Sequence, residues 1–224
     1  MAQTRIMGIT PMTTEAQLLR LMTWLSPAFP VGAFGYSHGL ETAIRDGAVH
    51  DADTISAWIA GLIEHGSGWT DAVLFKAAWA AEAHGLAQIA ELAEALTPSL
   101  ERRRETLSQG EAFLIAARAW GPSPLSGAVA YPVAVGATAA GIPIETALTA
   151  WLHAFAANLV SVAVRAVPLG QTDGVAVIAG LEPIILDTAA RAAASTLDDL
   201  GSSALLSDIA AMRHETLQPR LFIS

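Results

Sequence analysis

Along nearly the whole chain apolar residues recur every three or four positions, the spacing of one face of an α-helix. In 53–65, Ile55, Ile59, Leu62 and Ile63 follow Asp53, a candidate N-cap. A second pattern starts at Thr97-Pro98, with threonine as cap and proline at the first helical position. It runs through Leu100, Leu107, Phe113 and Leu114 toward Trp120, where Gly121-Pro122 stops it. The same periodicity predicts helices over 15–25, 40–46, 71–83, 86–95, 127–140, 143–167, 175–179, 183–194 and 203–214. Period-two alternation does not extend beyond a few residues, so the expected fold is all-α, a single-domain bundle of about ten helices.

The chain is 53% apolar and 15% charged, ample for one core spanning 1–224 and scant for covering it, so part of the apolar surface is expected to meet a partner. Residues 1–14 are expected to be flexible and 215–224 to form a C-terminal tail. Between Arg118 and Arg165 the only charge is Glu145, which resembles a membrane span. The stretch is rich in alanine and is broken by Gly121-Pro122, Pro124, Gly127, Pro132, Gly136 and Gly141-Ile142-Pro143, so it reads as a buried central helix pair. A formal charge of −9 repels phosphate backbones and anionic headgroups, which argues against nucleic acid and membrane surfaces. Without cysteine there is neither a disulfide nor a thiolate metal site, and with no signal-peptide core near Arg5 the expected compartment is the cytoplasm.

Catalytic chemistry is sparse. The single lysine, Lys76, lies between Phe75 and Ala77, so the Gly-Lys-Ser/Thr end of a phosphate-binding loop cannot be written, and a Schiff-base role is disfavoured by its apolar helical setting. Histidines fall at 38, 50, 65, 84, 153 and 214 with no pair four apart, so no local metal box exists. His153, between Leu152 and Ala154, reads as a core histidine. His38 and Glu41 can share a helix face, as a hydrogen-bonded pair or, with Asp173 brought in by the fold, as the acid–base set of a small hydrolase. Gly-x-Ser-x-Gly is absent around Ser37 and Ser161. Arg102-Arg103-Arg104, between Glu101 and Glu105, reads as a solvated helix face with ion pairs, the alternative being a docking patch.

Three segments carry a family resemblance. Ser26-Pro27-Ala28-Phe29-Pro30-Val31-Gly32-Ala33-Phe34-Gly35-Tyr36-Ser37-His38-Gly39-Leu40-Glu41 joins two prolines that fix an extended entry to glycines that permit tight turning. The apolar helix Asn158–Arg165 ends in Ala166-Val167-Pro168-Leu169-Gly170-Gln171-Thr172-Asp173. The chain closes on His214-Glu215-Thr216-Leu217-Gln218-Pro219-Arg220-Leu221-Phe222-Ile223-Ser224, an apolar ending that suggests docking onto this protein or onto a partner. In these segments the chain resembles the urease accessory protein UreF family. It departs at Ile223, where a basic residue is usual, and at Ala130-Tyr131-Pro132, where a histidine-containing turn is common.

The resemblance implies an all-α, non-catalytic chaperone subunit that dimerises and joins UreD (also called UreH) and the GTPase UreG on apo-urease. Nickel would be handled by that complex and GTP bound by UreG, with no cofactor intrinsic to this chain. The partner-binding residues it implies are Pro30, Gly32, Phe34, Tyr36, Ser37 and Glu41 in the loop. In the second and third segments they are Arg165, Pro168, Gly170, Gln171 and Asp173, then His214, Glu215, Arg220, Leu221 and Phe222.

Overall fold

The structure is a computed structural model, and it describes residues 13–223. Among these the regular elements are α-helices joined by turns and short 3-10 segments, with no strand. The helices are α1 (Glu15–Trp24), α2 (Leu40–Arg45), α3 (Ala52–His65), α4 (Ser67–Ala80), α5 (Ala83–Ala95), α6 (Leu100–Ala117), α7 (Tyr131–Thr138), α8 (Ile144–Ala166), α9 (Gln171–Ala194) and α10 (Leu205–His214). The all-α expectation holds. Of the segment expected to be flexible, residues 1–12 lie outside the described residues. Thr14 caps α1, accepting from the Gln17 N–H at 3.3 Å, and Thr13 donates to Thr146 at 2.8 Å.

Several helix ends differ from the sequence reading, because nearer side chains cap them. Asp51, not Asp53, begins α3 by accepting the Thr54 N–H at 2.8 Å. Ser99, not Thr97, begins α6 by accepting from Arg102 at 3.2 Å, which leaves Pro98 outside the helix. α4 follows α3 across the single residue Gly66 and ends at Ala80. α7 starts at Tyr131 rather than 127, with Pro132 in the first turn, where a missing N–H costs nothing. The two helices expected over 175–179 and 183–194 are one, α9, running through Pro183. Val177, Leu181, Ile185, Ala189 and Ala192 form one buried stripe, and burying it outweighs the hydrogen bond that Pro183 removes on the exposed side.

α8 and α9 pack along each other, α3 lies across α9, and α4 is wedged between α7 and α8, with α6 on the far side of α7. Glycine permits a close approach of α7 to α4: a Cβ on Gly136 would stand 2.3 Å from the Phe75 carbonyl. α8 is long and apolar enough to cross a membrane, but half of its most apolar window is buried against its neighbours. The expected central pair does not form as such: α7 packs on α4 and α6, and α4 separates it from α8. Lys76 donates to the Ser195 carbonyl at 2.6 Å, tying α4 to the end of α9. His153 is exposed, not a core residue, because it faces away from the stripe formed by Leu148, Trp151, Leu152 and Phe155.

Candidate functional site

The loop before α2 is shaped by left-handed backbone. Gly32 has φ 73°, and His38 and Gly39 follow with φ 51° and 77°. For His38 that conformation is unusual, and it must be held by its surroundings. Gly39 has a second constraint, since a Cβ there would meet the Ala211 nitrogen of α10 at 2.7 Å. Ahead of these points Phe29 turns into an aromatic cluster with Phe113 and Trp120. Phe34 turns outward with 65% of its surface exposed. Pro30 and Gly32 are exposed, Tyr36 is half-buried, and the buried Ser37 hydroxyl accepts the Glu41 N–H at 3.4 Å.

The tail meets this loop. Ile223 donates its N–H to the Gly35 carbonyl at 2.7 Å, and Phe222 is buried with the Arg165 guanidinium 4.8 Å from its ring centroid. Arg165 also donates to the Phe34 carbonyl at 2.7 Å, and Asn158 donates to the Tyr36 carbonyl at 3.4 Å. Segments as far apart as Phe34, Arg165 and Phe222 therefore build one surface, on which Phe34, Leu221 and Ile223 are the exposed apolar groups.

Beneath the tail lies a buried carboxylate–imidazole–carboxylate set. His214, with no exposed surface, places Nδ1 2.8 Å from Glu101 and Nε2 3.0 Å from Glu41. Glu41 also accepts the backbone N–H groups of Leu221 at 2.7 Å and Phe222 at 3.0 Å. Burial alone would push the Glu41 carboxyl up; the Leu221 N–H, His214 and the Phe222 N–H together hold it below the usual range. Glu101 carries Arg220 on its other oxygen. Glu215 accepts the Leu100 N–H at 2.8 Å, completing the start of α6.

Pro168, Gly170, Gln171 and Asp173 stand apart, exposed in the α8–α9 turn, where Asp173 accepts the Gly170 N–H at 3.0 Å and so starts α9. The trio His38, Glu41 and Asp173 does not assemble: Glu41 serves His214, Asp173 serves its own turn, and His38 belongs to a second cluster. In that cluster Glu105 lies 3.1 Å from His38 Nε2 and 2.5 Å from Arg102, with Asp71 3.5 Å from Arg102. Burial raises the Asp71 carboxyl despite Arg102. It would raise Glu105 too, but the Arg102 charge and then His38 outweigh burial and hold that carboxyl at about 2. Arg102 is thus buried rather than solvated, whereas Arg103 pairs with Glu94 at the surface.

The cluster floors a cavity of about 280 Å³ walled by Phe29, Phe34, Tyr131, Trp151 and Phe155, slightly below the span usual for small-molecule sites, roughly 300–1,000 Å³. Among the described residues no group of three or more His, Asp or Glu has an arrangement able to hold a metal ion.

Among the described residues the two buried clusters hold their charged side chains in structural pairs, and Phe34, Leu221 and Ile223 leave an apolar rim open. A model of the family described as UreF matches residues 49–182. Urease accessory protein UreF of Rhizobium etli is 57% identical, covering 92% of this chain and 96% of its own length. The UreF protein of Mesorhizobium japonicum is 52% identical, covering 96% and 100%, and that of Brucella ovis 50% identical, covering 96% and 99%. The chain belongs to the UreF family of urease accessory proteins. The class is accessory and non-catalytic.

Proposed function

We propose that this chain bridges UreD (UreH) and the GTPase UreG on apo-urease during GTP-dependent nickel insertion, acting as a cytoplasmic homodimer. Nickel is cargo of the complex in this reading, and GTP is held by UreG. The observation that carries it is the convergence of the 33–37 loop, Arg165 and the tail on one surface that leaves Phe34, Leu221 and Ile223 open to solvent. Exposed aromatic and aliphatic anchors on a rigid frame suit a protein interface. Coupling to a partner's nucleotide state needs only surfaces whose affinity differs between states.

The test is capture of purified UreD and UreG by the full chain, with urease activation read in parallel. Phe34→Ala and Leu221→Ala each remove a solvent-exposed side chain, so the helical circular dichroism spectrum should be unchanged while capture weakens about tenfold. Unchanged capture and activation in both variants would overturn this docking surface, and a monomer by light scattering at micromolar concentration would remove the homodimer.

A further inference from the structure

We propose that Glu41, His214 and Glu101 form a latch that sets the position of the C-terminal tail, and that they act on partner capture through the tail without touching the partner. The second half rests on the docking role proposed above.

The geometry is that of a holding site. His214 reaches one carboxylate from α2 and one from α6, and each carboxylate also holds the tail. Glu41 accepts two successive backbone N–H groups, from Leu221 and Phe222. Glu101 takes the Arg220 guanidinium. Every residue of 220–222 is therefore held through a carboxylate that His214 fixes in place, and these are charge-assisted bonds, roughly twice as strong as neutral ones.

Register follows from this. The backbone bends at 221 and 222, where both N–H groups turn to Glu41, and in that bend Phe222 goes inward under Arg165, while Leu221 and Ile223 stay 75% and 54% exposed. If the tail leaves, Glu41 keeps His214 but exchanges two charge-assisted N–H bonds for water. The latch thus favours one presentation of Leu221 and Ile223 over a free, disordered terminus. Glu41 stands in the first turn of α2, directly after the loop, so the same residue joins the loop's exit to the tail.

The experiment compares full-length wild type, Glu41→Ala and Glu101→Gln by hydrogen exchange and by capture of UreD and UreG. The Leu221 and Phe222 amides should exchange at least about tenfold faster in Glu41→Ala, with helix-core amides less affected. Glu101→Gln, whose direct tail contact is Arg220 alone, supplies a milder variant and should show a smaller increase.

Positioning is separated from any other role by a tether. The chain has no cysteine, and a Cβ at Gly35 would lie 3.2 Å from Ile223 Cδ1, so Gly35→Cys with Ile223→Cys in the Glu41→Ala background gives a single disulfide that pins the tail. Oxidised, this variant should recover capture to within about threefold of the same cysteine pair with Glu41 intact; reduced, it should lose it again. Tail amides equally protected in Glu41→Ala and wild type would overturn the latch. Restored tail protection without restored capture would overturn action through the tail. Failure of the docking role is distinguishable: deletion of 217–224 would then leave capture unchanged, while the exchange comparison would still decide the latch.

Discussion

Glu105 is the residue whose ionisation matters most to the core. Its carboxyl, ordinarily near 4.5, is held at about 2 by Arg102 and His38 against the opposing effect of burial. A depressed folded value stabilises the protein above pH 4.5, and the contribution fades as pH falls from 4.5 toward 2, by roughly 3 kcal/mol. Asp71, raised by burial, works in the opposite sense and softens the loss. Urea denaturation across that window should show a steeper acid limb in wild type than in Glu105→Gln. At pH 7, Glu105→Ala should cost about 3–5 kcal/mol, because Arg102 is left buried without its nearest carboxylate. This cluster was only half legible in the sequence. Glu101, Arg102, Glu105, Thr106 and Gln109 recur at core spacing and are all buried, but a search for apolar periodicity passes over a polar stripe. The charged run Glu101–Glu105 reads as solvated until α7 and the loop are seen to cover it. Spacing pairs His38 with Glu41, whereas its left-handed backbone turns it away from Glu41 toward Glu105 of α6.

At the scale of elements, the helices themselves were the legible part, and the ends were not. Apolar periodicity is a property of many residues together, whereas a boundary is decided by one side chain, as at Asp51 and Ser99. Pro183 shows local preference overridden by packing. It sits on the exposed side of α9, so Pro183→Ala should restore a hydrogen bond at little steric cost and stabilise the protein by about 1 kcal/mol or more in thermal melts. Gly136 is the opposite case. α7 approaches α4 so closely that a methyl group would collide with the Phe75 backbone, and backbone cannot yield as a side-chain tip can. Gly136→Ala, despite alanine's better helix propensity, should destabilise by at least about 2 kcal/mol, read as a lower denaturation midpoint with unchanged slope.

For the whole molecule, the loop, the end of α8 and the tail stand out in the sequence separately, but nothing in their spacing says that they meet. That takes the α8–α9 hairpin and α10 to fold the chain's last residues back beside its first loop, bringing Ile223 to Gly35 and Arg220 to Glu101. The turn at 168–173, next in sequence to Arg165, stays outside because α9 leaves in the other direction. The tail is accordingly part of the fold as well as of the candidate surface, and its removal should be felt in both. Burying Phe222 stabilises by about 2 kcal/mol, and the Glu41 bonds to Leu221 and Phe222 add to this. Deleting 217–224 should therefore lower the unfolding free energy by about 2–4 kcal/mol while leaving the helical spectrum intact, since α10, the last helix among the described residues, ends at His214. Arg220→Ala should cost less, about 1 kcal/mol, because its side chain is 37% exposed and solvent screens the pair with Glu101. Comparing the two variants by denaturation beside partner capture separates the contributions. If Arg220→Ala destabilises as much as the deletion, the ion pair with Glu101 rather than the Phe222 anchor holds the tail in place.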